Sequence, residues 1–319
     1  MKGVILDAGS LGNDELTLDP VTALLDSWEV HQTTSQDQVA ERIAAANIVL
    51  TNKVPISTSD MSQASSLELI SVLATGTDNI DVAAAKTHGI TVCNAVGYAT
   101  PSVTQHTMAL MLALSTRVID YVKDVRAGAW QASPAFCLLH HPISELAGKE
   151  LGIVGYGELG RSVGQLAEAF GMTVRVSQKV GETDNTPERV PLDELVPAVD
   201  YLTLHCPLVP RTRHLVNDDL LKRMKPTAFL INTARGGLVD SQALISALAS
   251  NSIAGAAIDV LDQEPPTEEE PIIGAGLDNL IVTPHNAWGA IESRQRLISQ
   301  MRENILAYLD SRPLRVIDH

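Results

Sequence analysis

The stretch Lys149-Glu150-Leu151-Gly152-Ile153-Val154-Gly155-Tyr156-Gly157-Glu158-Leu159-Gly160-Arg161 decides the fold. Leu151 to Val154 is an apolar run of strand length, too short for a helix. It runs into Gly155-Tyr156-Gly157-Glu158-Leu159-Gly160, the spacing G-x-G-x-x-G. Helical spacing follows, with Leu159, Val163, Leu166, Ala167 and Phe170 expected on one face. Strand, glycine turn and helix form the context in which this spacing binds a dinucleotide. Gly155 is expected to turn the chain off the strand, Gly157 to admit a pyrophosphate to the backbone, and Gly160 to let helix and strand approach. The helix N-terminus then offers free N–H groups to the phosphates.

On either side, short apolar runs alternate with helical patterns. Val4–Leu6, Val49–Leu50, Leu69–Leu73 and Ile90–Cys93 read as strands, with helical spacing at Val21–Leu25, Val39–Ala46 and Val82–Thr87. Pro101 suits a helix first turn, and Val103, Thr107, Leu110, Met111, Leu114 and Val118 predict one long amphipathic helix. A polar, irregular stretch from Ala127 to Glu145 follows, with Trp130, Phe136 and His140-His141. Paired histidines suggest a metal, but no third ligand lies in local register, so a loop or subunit contact is the expectation. Beyond the glycine helix, Met172–Ser177, Tyr201–Leu204, Phe229–Ile231, Ala254–Ile258 and Leu280–Val282 read as strands. Leu192–Val199, Gln242–Ala249 and Arg294–Leu309 read as helices. Such alternation implies βαβ units and parallel sheets.

A chain of 319 residues with 45% hydrophobic content accommodates two domains with real cores. The expected division is residues 1–99 plus 292–319 as one α/β domain and 100–291 as a dinucleotide-binding domain. A net charge of −15 argues against nucleic-acid and anionic-membrane partners. Three cysteines, Cys93, Cys137 and Cys206, form neither a metal spacing nor a disulfide framework. No apolar stretch reaches about 18 residues, and the apolar part of the start is too short for a signal peptide. The expectation is a reduced, cytoplasmic protein.

In open parallel sheets, residues just past strand ends line the ligand crevice. Arg235, Glu264 and His285 occupy such places. A histidine exchanges a proton near neutral pH, a carboxylate beside it orients it and favours its charged form, and an arginine forks onto a carboxylate or keto oxygen. This set suits reduction of a 2-keto acid. An acid that would hold the adenosine ribose is expected at the end of the second strand. That place instead reads Ser177-Gln178-Lys179. A carboxylate there would repel a 2′-phosphate. Neutral Gln178 would not, and Lys179 could pair with one, so NADP is expected to be accepted as well as NAD.

Gly155 to Gly160, Ile231-Asn-Thr-Ala-Arg-Gly-Gly237, Ala257-Ile-Asp-Val-Leu-Asp-Gln-Glu-Pro265 and Thr283-Pro-His285 come in that order. With them the chain resembles the D-isomer-specific 2-hydroxyacid dehydrogenases along nearly its whole length. The stretch Trp130 to Gly148 most resembles the glycerate dehydrogenase (hydroxypyruvate reductase) branch. The resemblance implies an α/β fold of two Rossmann-like, doubly wound parallel-sheet domains with an inter-domain cleft, usually as a homodimer. It implies His285 as general acid for ketone reduction, Glu264 as the partner keeping it protonated to higher pH, and Arg235 on the substrate carboxylate and carbonyl. Backbone N–H groups at Ala74, Thr75 and Gly76 would hold the carboxylate, with Lys53 adding charge. Thr104, Cys206, Thr233 and Asp259 fall at cofactor-contact positions, Asp259 toward the nicotinamide amide. The substrate implied is a small 2-keto acid of the hydroxypyruvate or glyoxylate type. An NAD(H)-sensing corepressor-like protein with little turnover is the alternative from a binding class. Formate dehydrogenases share the fold but carry Gln where this chain has Glu264.

Overall fold

The computed structural model describes residues 1–12, 16–182, 186 and 188–317. The chain divides into two compact units, Met1–Ala99 with Gly289–His319, and Thr100–Trp288.

The first unit holds strands β1 (Lys2–Ile5), β2 (Ser27–Val30), β3 (Ile48–Thr51), β4 (Leu69–Val72) and β5 (Thr91–Cys93). They form one parallel sheet in the order β2-β1-β3-β4-β5. The helices between them are α1 (Asp19–Thr22), α2 (Val39–Ile43), α3 (Thr58–Ser62) and α4 (Val82–Thr87). β3 and β4 are buried throughout, as central strands of a sheet covered on both faces must be. β2 is an edge strand, mostly exposed, and its mixed sequence carries no apolar run. It was therefore not among the strands expected from patterning, although Trp28 packs where Gly3 leaves no Cβ: one built there would lie 2.5 Å from the indole.

The second unit holds β6 (Glu150–Val154), β7 (Thr173–Ser177), β8 (Arg189–Val190), β9 (Tyr201–Leu204), β10 (Phe229–Asn232), β11 (Gly255–Ile258) and β12 (Leu280–Val282). They form a parallel sheet in the order β12-β11-β10-β9-β6-β7-β8. The helices are α5 (Thr100–Thr116), α6 (Val118–Arg126), α7 (Glu158–Ala169), α8 (Leu192–Leu195), α9 (Asp218–Arg223), α10 (Ser241–Ala249) and α11 (Pro271–Gly274). Alternate side chains of the central strands feed opposite faces. Leu151, Ile153, Tyr201, Ile231 and Ala257 pack with α5 and α7 residues such as Met111, Leu114 and Val163. Val154, Leu202, Leu204, Leu230 and Ile258 pack with α8 to α10 through Leu195, Leu220 and Leu244.

Two sequence expectations are corrected here. The long helix stops at Thr116, because Arg117 adopts a left-handed backbone (φ 55°). Ser144 donates its N–H to the Ser115 carbonyl at 2.8 Å, satisfying one of the terminal acceptors the helix end leaves open. Val118 begins a separate helix, α6, and is exposed rather than on the buried face. The buried face of α7 is Gly160, Val163, Gly164 and Ala167, while Leu166 and Phe170 are exposed.

α12 (Ile291–Leu309) belongs to the first unit. Its buried Asn304 donates to the Asn94 carbonyl at 2.9 Å and to Ser71 Oγ at 3.3 Å, so a polar side chain ties the last helix to the β4–β5 side of the sheet. Among the described residues no helix is long and apolar enough to cross a membrane.

Candidate active site

β6 lies between β7 and β9, so the chain leaves it on one side and later returns on the other. Ligands in open parallel sheets bind at this reversal. Gly155 sits there with φ +94°, and a Cβ on it would lie 2.5 Å from Cys206 N. A Cβ on Gly160 would lie 2.2 Å from the Gly155 carbonyl oxygen. A Cβ on Gly157, the exposed N-cap of α7, would meet nothing within 4 Å among the described residues. The middle glycine thus faces open space while its two neighbours are pressed against backbone. The first-turn N–H groups of Glu158, Leu159 and Gly160 have no acceptor inside the helix. The Tyr156 ring lies over Gly164, 3.5 Å from where a Cβ would sit, and Glu158 accepts from Thr100 Oγ1 at 2.6 Å.

A cavity of ≈ 420 Å³ opens beside this loop, lined by Gly155, Gly157, Ser177, Gln178, Lys179, Arg189, Cys206 and Arg211 among others. Its volume suits part of a cofactor. Among the described residues three cations, Lys179, Arg189 and Arg211, and one carboxylate, Glu182, line it. Lys179 Nζ lies 3.4 Å from Glu182, which also pairs with Arg211. Arg189 and Arg211 were not among the residues singled out from sequence. Arg189 reaches the cavity because β8 pairs beside β7, with Val176 opposite Arg189 and Ser177 opposite Val190. A two-residue strand has no periodicity to read. The buried Ser177 Oγ has no hydrogen-bond partner among the described residues, and neither has Thr104 Oγ1 on α5. A buried hydroxyl without a partner costs free energy unless a ligand supplies one. Burial pushes the Cys206 thiol up to about 11, so it lines the cavity as a neutral wall. His205 donates to or accepts from Thr203 Oγ1 at 3.0 Å, its enclosed Nδ1 has no hydrogen-bond partner among the described residues, and burial lowers its pKa to about 4.

Three neighbouring strands deliver the remaining groups. Register aligns Asn232 of β10, Ile258 of β11 and Val282 of β12. Thr233, Asp259 and Thr283 therefore leave the sheet at one level. Thr233 Oγ1 lies 3.1 Å from Thr107 Oγ1 of α5. Asn232 folds the next turn by accepting from Ala234 N at 3.0 Å and donating to the Arg235 carbonyl at 2.9 Å. Gly236, directly after Arg235, abuts the loop after β11: a Cβ there would fall 1.9 Å from Leu261 C. Asp259 is buried, and its carboxylate accepts from Thr283 Oγ1 (2.6 Å), Asn286 N (3.1 Å) and Ala287 N (3.1 Å). In this structure it clamps the turn that carries His285 rather than facing open space. His285 itself has φ 50° and donates its N–H to the Asp259 carbonyl at 2.7 Å.

Glu264 and His285 meet directly, with Nδ1 2.5 Å from Oε2. The other Glu264 oxygen accepts from Leu261 N at 2.9 Å. One carboxylate is thereby fixed to its own loop and fixes the imidazole in turn. Both side chains are about a quarter exposed, at 26% and 27%, which leaves a reacting group a way in.

The first unit places the other four expected residues beyond its own strands. Lys53 follows β3, where Asp7 accepts from the N–H groups of Asn52 (2.9 Å) and Lys53 (2.7 Å). Ala74, Thr75 and Gly76 follow β4, held by Asn94, whose side-chain amide donates to the Thr75 carbonyl at 2.8 Å. Among the described residues the N–H groups of Thr75 and Gly76 make no backbone hydrogen bond.

The histidine pair finds a partner outside its local register. His140 and His141 do have a third polar partner, Asp124, delivered by α6. Patterning had not separated that helix from α5.

The chain belongs to the D-isomer-specific 2-hydroxyacid dehydrogenase family. The model of the family's NAD-binding domain matches residues 108–287. The chain is 43% identical to a glycerate dehydrogenase of Methylorubrum extorquens over 290 residues, covering 91% of each protein. It is 36% identical to a hydroxypyruvate reductase of Blautia hydrogenotrophica over 323 residues, covering 100% of both. Among solved structures, an acyclic imino acid reductase in complex with NADPH and D-Arg superposes with a TM-score of 0.85 at 30% identity, covering 100% of both chains. The open space over Gly157 and the unpartnered Ser177 hydroxyl in the lining of the adjoining cavity fit a dinucleotide.

Two outcomes follow from this geometry. Gly157→Ala keeps the fold and melting temperature but weakens NAD(P)H binding, whereas Gly160→Ala destabilises the second unit, since its methyl group meets backbone. Paired thermal melts and cofactor titrations separate the two. His205 supplies a pH signature. Its folded value of about 4 lies below the ordinary 6.5, so the unfolded chain holds more protons between those values. Its contribution to stability is present above pH 6.5 and is lost as pH falls toward 4, by roughly 1–2 kcal/mol between pH 7 and 5. Chemical denaturation at both pH values should show a smaller loss in His205→Gln than in the wild-type protein.

Proposed function

We propose that this protein is a D-2-hydroxyacid dehydrogenase that reduces small 2-keto acids of the hydroxypyruvate or glyoxylate type, using NADPH as well as NADH. The observation that carries the reading is the Glu264–His285 pair, held at the strand ends of the sheet that also carries the glycine cradle. The glycerate dehydrogenase and hydroxypyruvate reductase relatives support the substrate class. A corepressor-like sensor needs a cofactor site but no oriented acid.

Gly155–Gly160 and the β7 end would hold NAD(P)H, which would supply the hydride for the carbonyl carbon. The chain's own task is the proton and the charge. Nδ1 of His285 is engaged by Glu264, so Nε2 is the nitrogen that presents a proton to the keto oxygen. Loss of that proton gives a neutral imidazole, and the reverse transfer serves alcohol oxidation. Glu264 stabilises the imidazolium and holds the ring in one orientation. Arg235 is assigned to the substrate carboxylate and to polarising the carbonyl. In the first unit, the N–H groups of Ala74, Thr75 and Gly76 and the Lys53 ammonium are assigned to substrate binding. Thr104, Thr233 and Cys206 are assigned to the cofactor. Asp259 acts on the nicotinamide side chiefly through the turn it clamps.

We further assign the adenosine 2′ position to Ser177, Gln178 and Lys179, with Arg189 and Arg211 as additional cations lining the same cavity. No carboxylate at position 178 repels a 2′-phosphate. A second copy of the chain is the occupant we propose for an apolar surface on the second unit. Val118, Ile119, Val122 and Val125 of α6 are exposed, as are Phe136, Leu139 and Ile143 in the irregular segment after it. Phe136 is 91% exposed, and so much isolated apolar surface is unfavourable in water.

Three measurements test these assignments. His285→Ala should lose roughly 10²–10⁴-fold in keto-acid reduction while still binding cofactor. Glu264→Gln should be impaired in kcat more than in KM. Wild-type protein inert toward a panel of 2-keto acids with either cofactor overturns the reading. The kcat/KM ratio for NADPH over NADH should fall about ten- to a hundredfold in Gln178→Asp, and also in Arg189→Ala, as one charge-assisted contact is worth roughly 1.5–3 kcal/mol. A wild-type ratio far below one that neither substitution moves rejects NADP use. Sedimentation should find a dimer, with Phe136→Ser and Leu139→Ser together shifting it toward monomer.

A further inference from the structure

We propose that Asp124, His140 and His141 form a binding site for a divalent transition metal ion of the Zn²⁺ type, separate from the residues assigned to dehydrogenation. Adjacent side chains on extended backbone point to opposite sides. Here the His140 and His141 rings instead lie 4.3 Å apart, and both Nε2 atoms reach the same Asp124 Oδ2, at 2.7 and 2.8 Å. One candidate ligand atom from each residue falls within 4.8 Å of the others.

The convergence is built by a neighbouring side chain. Tyr121 and Asp124 stand three residues apart on α6 and so share a face. The Tyr121 hydroxyl donates to the His141 carbonyl at 2.8 Å and accepts from the His141 N–H at 3.1 Å, pinning the backbone. Its ring meets both imidazoles edge-on, with centroids 5.0 Å from His141 and 5.7 Å from His140. The rings are thus held before any ion arrives. In the single chain the His140 side chain is 50% exposed, and the titration below reads whether an ion reaches it in the protein as it assembles.

Two imidazoles and one carboxylate are the donor set of three-ligand zinc sites, with a fourth position left for water. They favour Zn²⁺, Ni²⁺ or Cu²⁺ over Mg²⁺ or Ca²⁺, which prefer all-oxygen shells. A tetrahedral ion with bonds of about 2.0–2.1 Å separates its ligands by about 3.3–3.4 Å. The imidazole–carboxylate distances need open by only about half an ångström, within side-chain rotation on a half-exposed site. The bound ion would tie the irregular segment from residue 127 to 145 to α6.

The test uses tag-free, chelator-treated, full-length protein titrated with Zn²⁺ by calorimetry and with Co²⁺ by visible absorption. The expected result is one ion per chain, a tetrahedral or five-coordinate Co²⁺ spectrum, and a higher melting temperature with Zn²⁺. Affinity should fall roughly a hundredfold or more in Asp124→Asn and in His141→Gln, and stay unchanged in His88→Gln, an exposed histidine of the first unit. Asp124→Asn retains an acceptor for the two rings, so it separates loss of a ligand from loss of the local fold. If His141→Gln unfolds, the more exposed His140→Gln replaces it. Absence of saturable binding in the wild-type protein, or binding that survives these substitutions, overturns the site and leaves a carboxylate shared by two hydrogen-bonded histidines.

Discussion

The contact between Gly160 and the Gly155 carbonyl governs the second unit. With 2.2 Å between an added Cβ and that oxygen, any side chain at 160 would push α7 off the sheet. Because this point of contact is backbone, α7 must turn Gly160, Val163, Gly164 and Ala167 inward. That rotation aims the helix N-terminus along the edge of the cavity beside Gly157. It also leaves Leu166 and Phe170 at the surface. A binding feature and an exposed apolar feature thus share one steric cause.

The proton-handling side depends on a different device, a chain of carboxylates that hold backbone. Asp259 gathers the Thr283–Ala287 turn, and Glu264 is anchored through Leu261 N before it reaches His285. Each carboxylate has its oxygens engaged by groups of the adjoining loop. An imidazole fixed in this way loses little orientational freedom on meeting a substrate, which is how positioned groups lower a barrier. Asp7 does the same in the first unit for the loop that carries Lys53.

Charge is distributed with similar economy. The chain carries −15 overall, yet Lys179, Arg189 and Arg211 line one cavity. An anionic cofactor needs only this local potential, while the remaining negative charge suits solubility and disfavours polyanions.

The sequence by itself determined the parallel α/β architecture and the glycine turn, and it put Arg235, Glu264 and His285 beyond strand ends. These rest on local rules: a buried central strand needs a short continuous apolar run, a glycine turn has fixed spacing, and strand ends follow from where those runs stop. Gln178 in place of an acid was equally legible, being a single position at a known distance from the glycines. Only the tertiary structure decided what depends on neighbours far along the chain. β2 and β8 are edge strands, too exposed or too short to show a pattern, so Arg189 beside Ser177 could not be read. The break at Arg117 came from a left-handed residue inside an unbroken apolar spacing, and with it went Asp124 as the partner of His140 and His141. The clamp formed by Asp259 exists because register brings β11 and β12 level, and register is a property of paired strands rather than of either one.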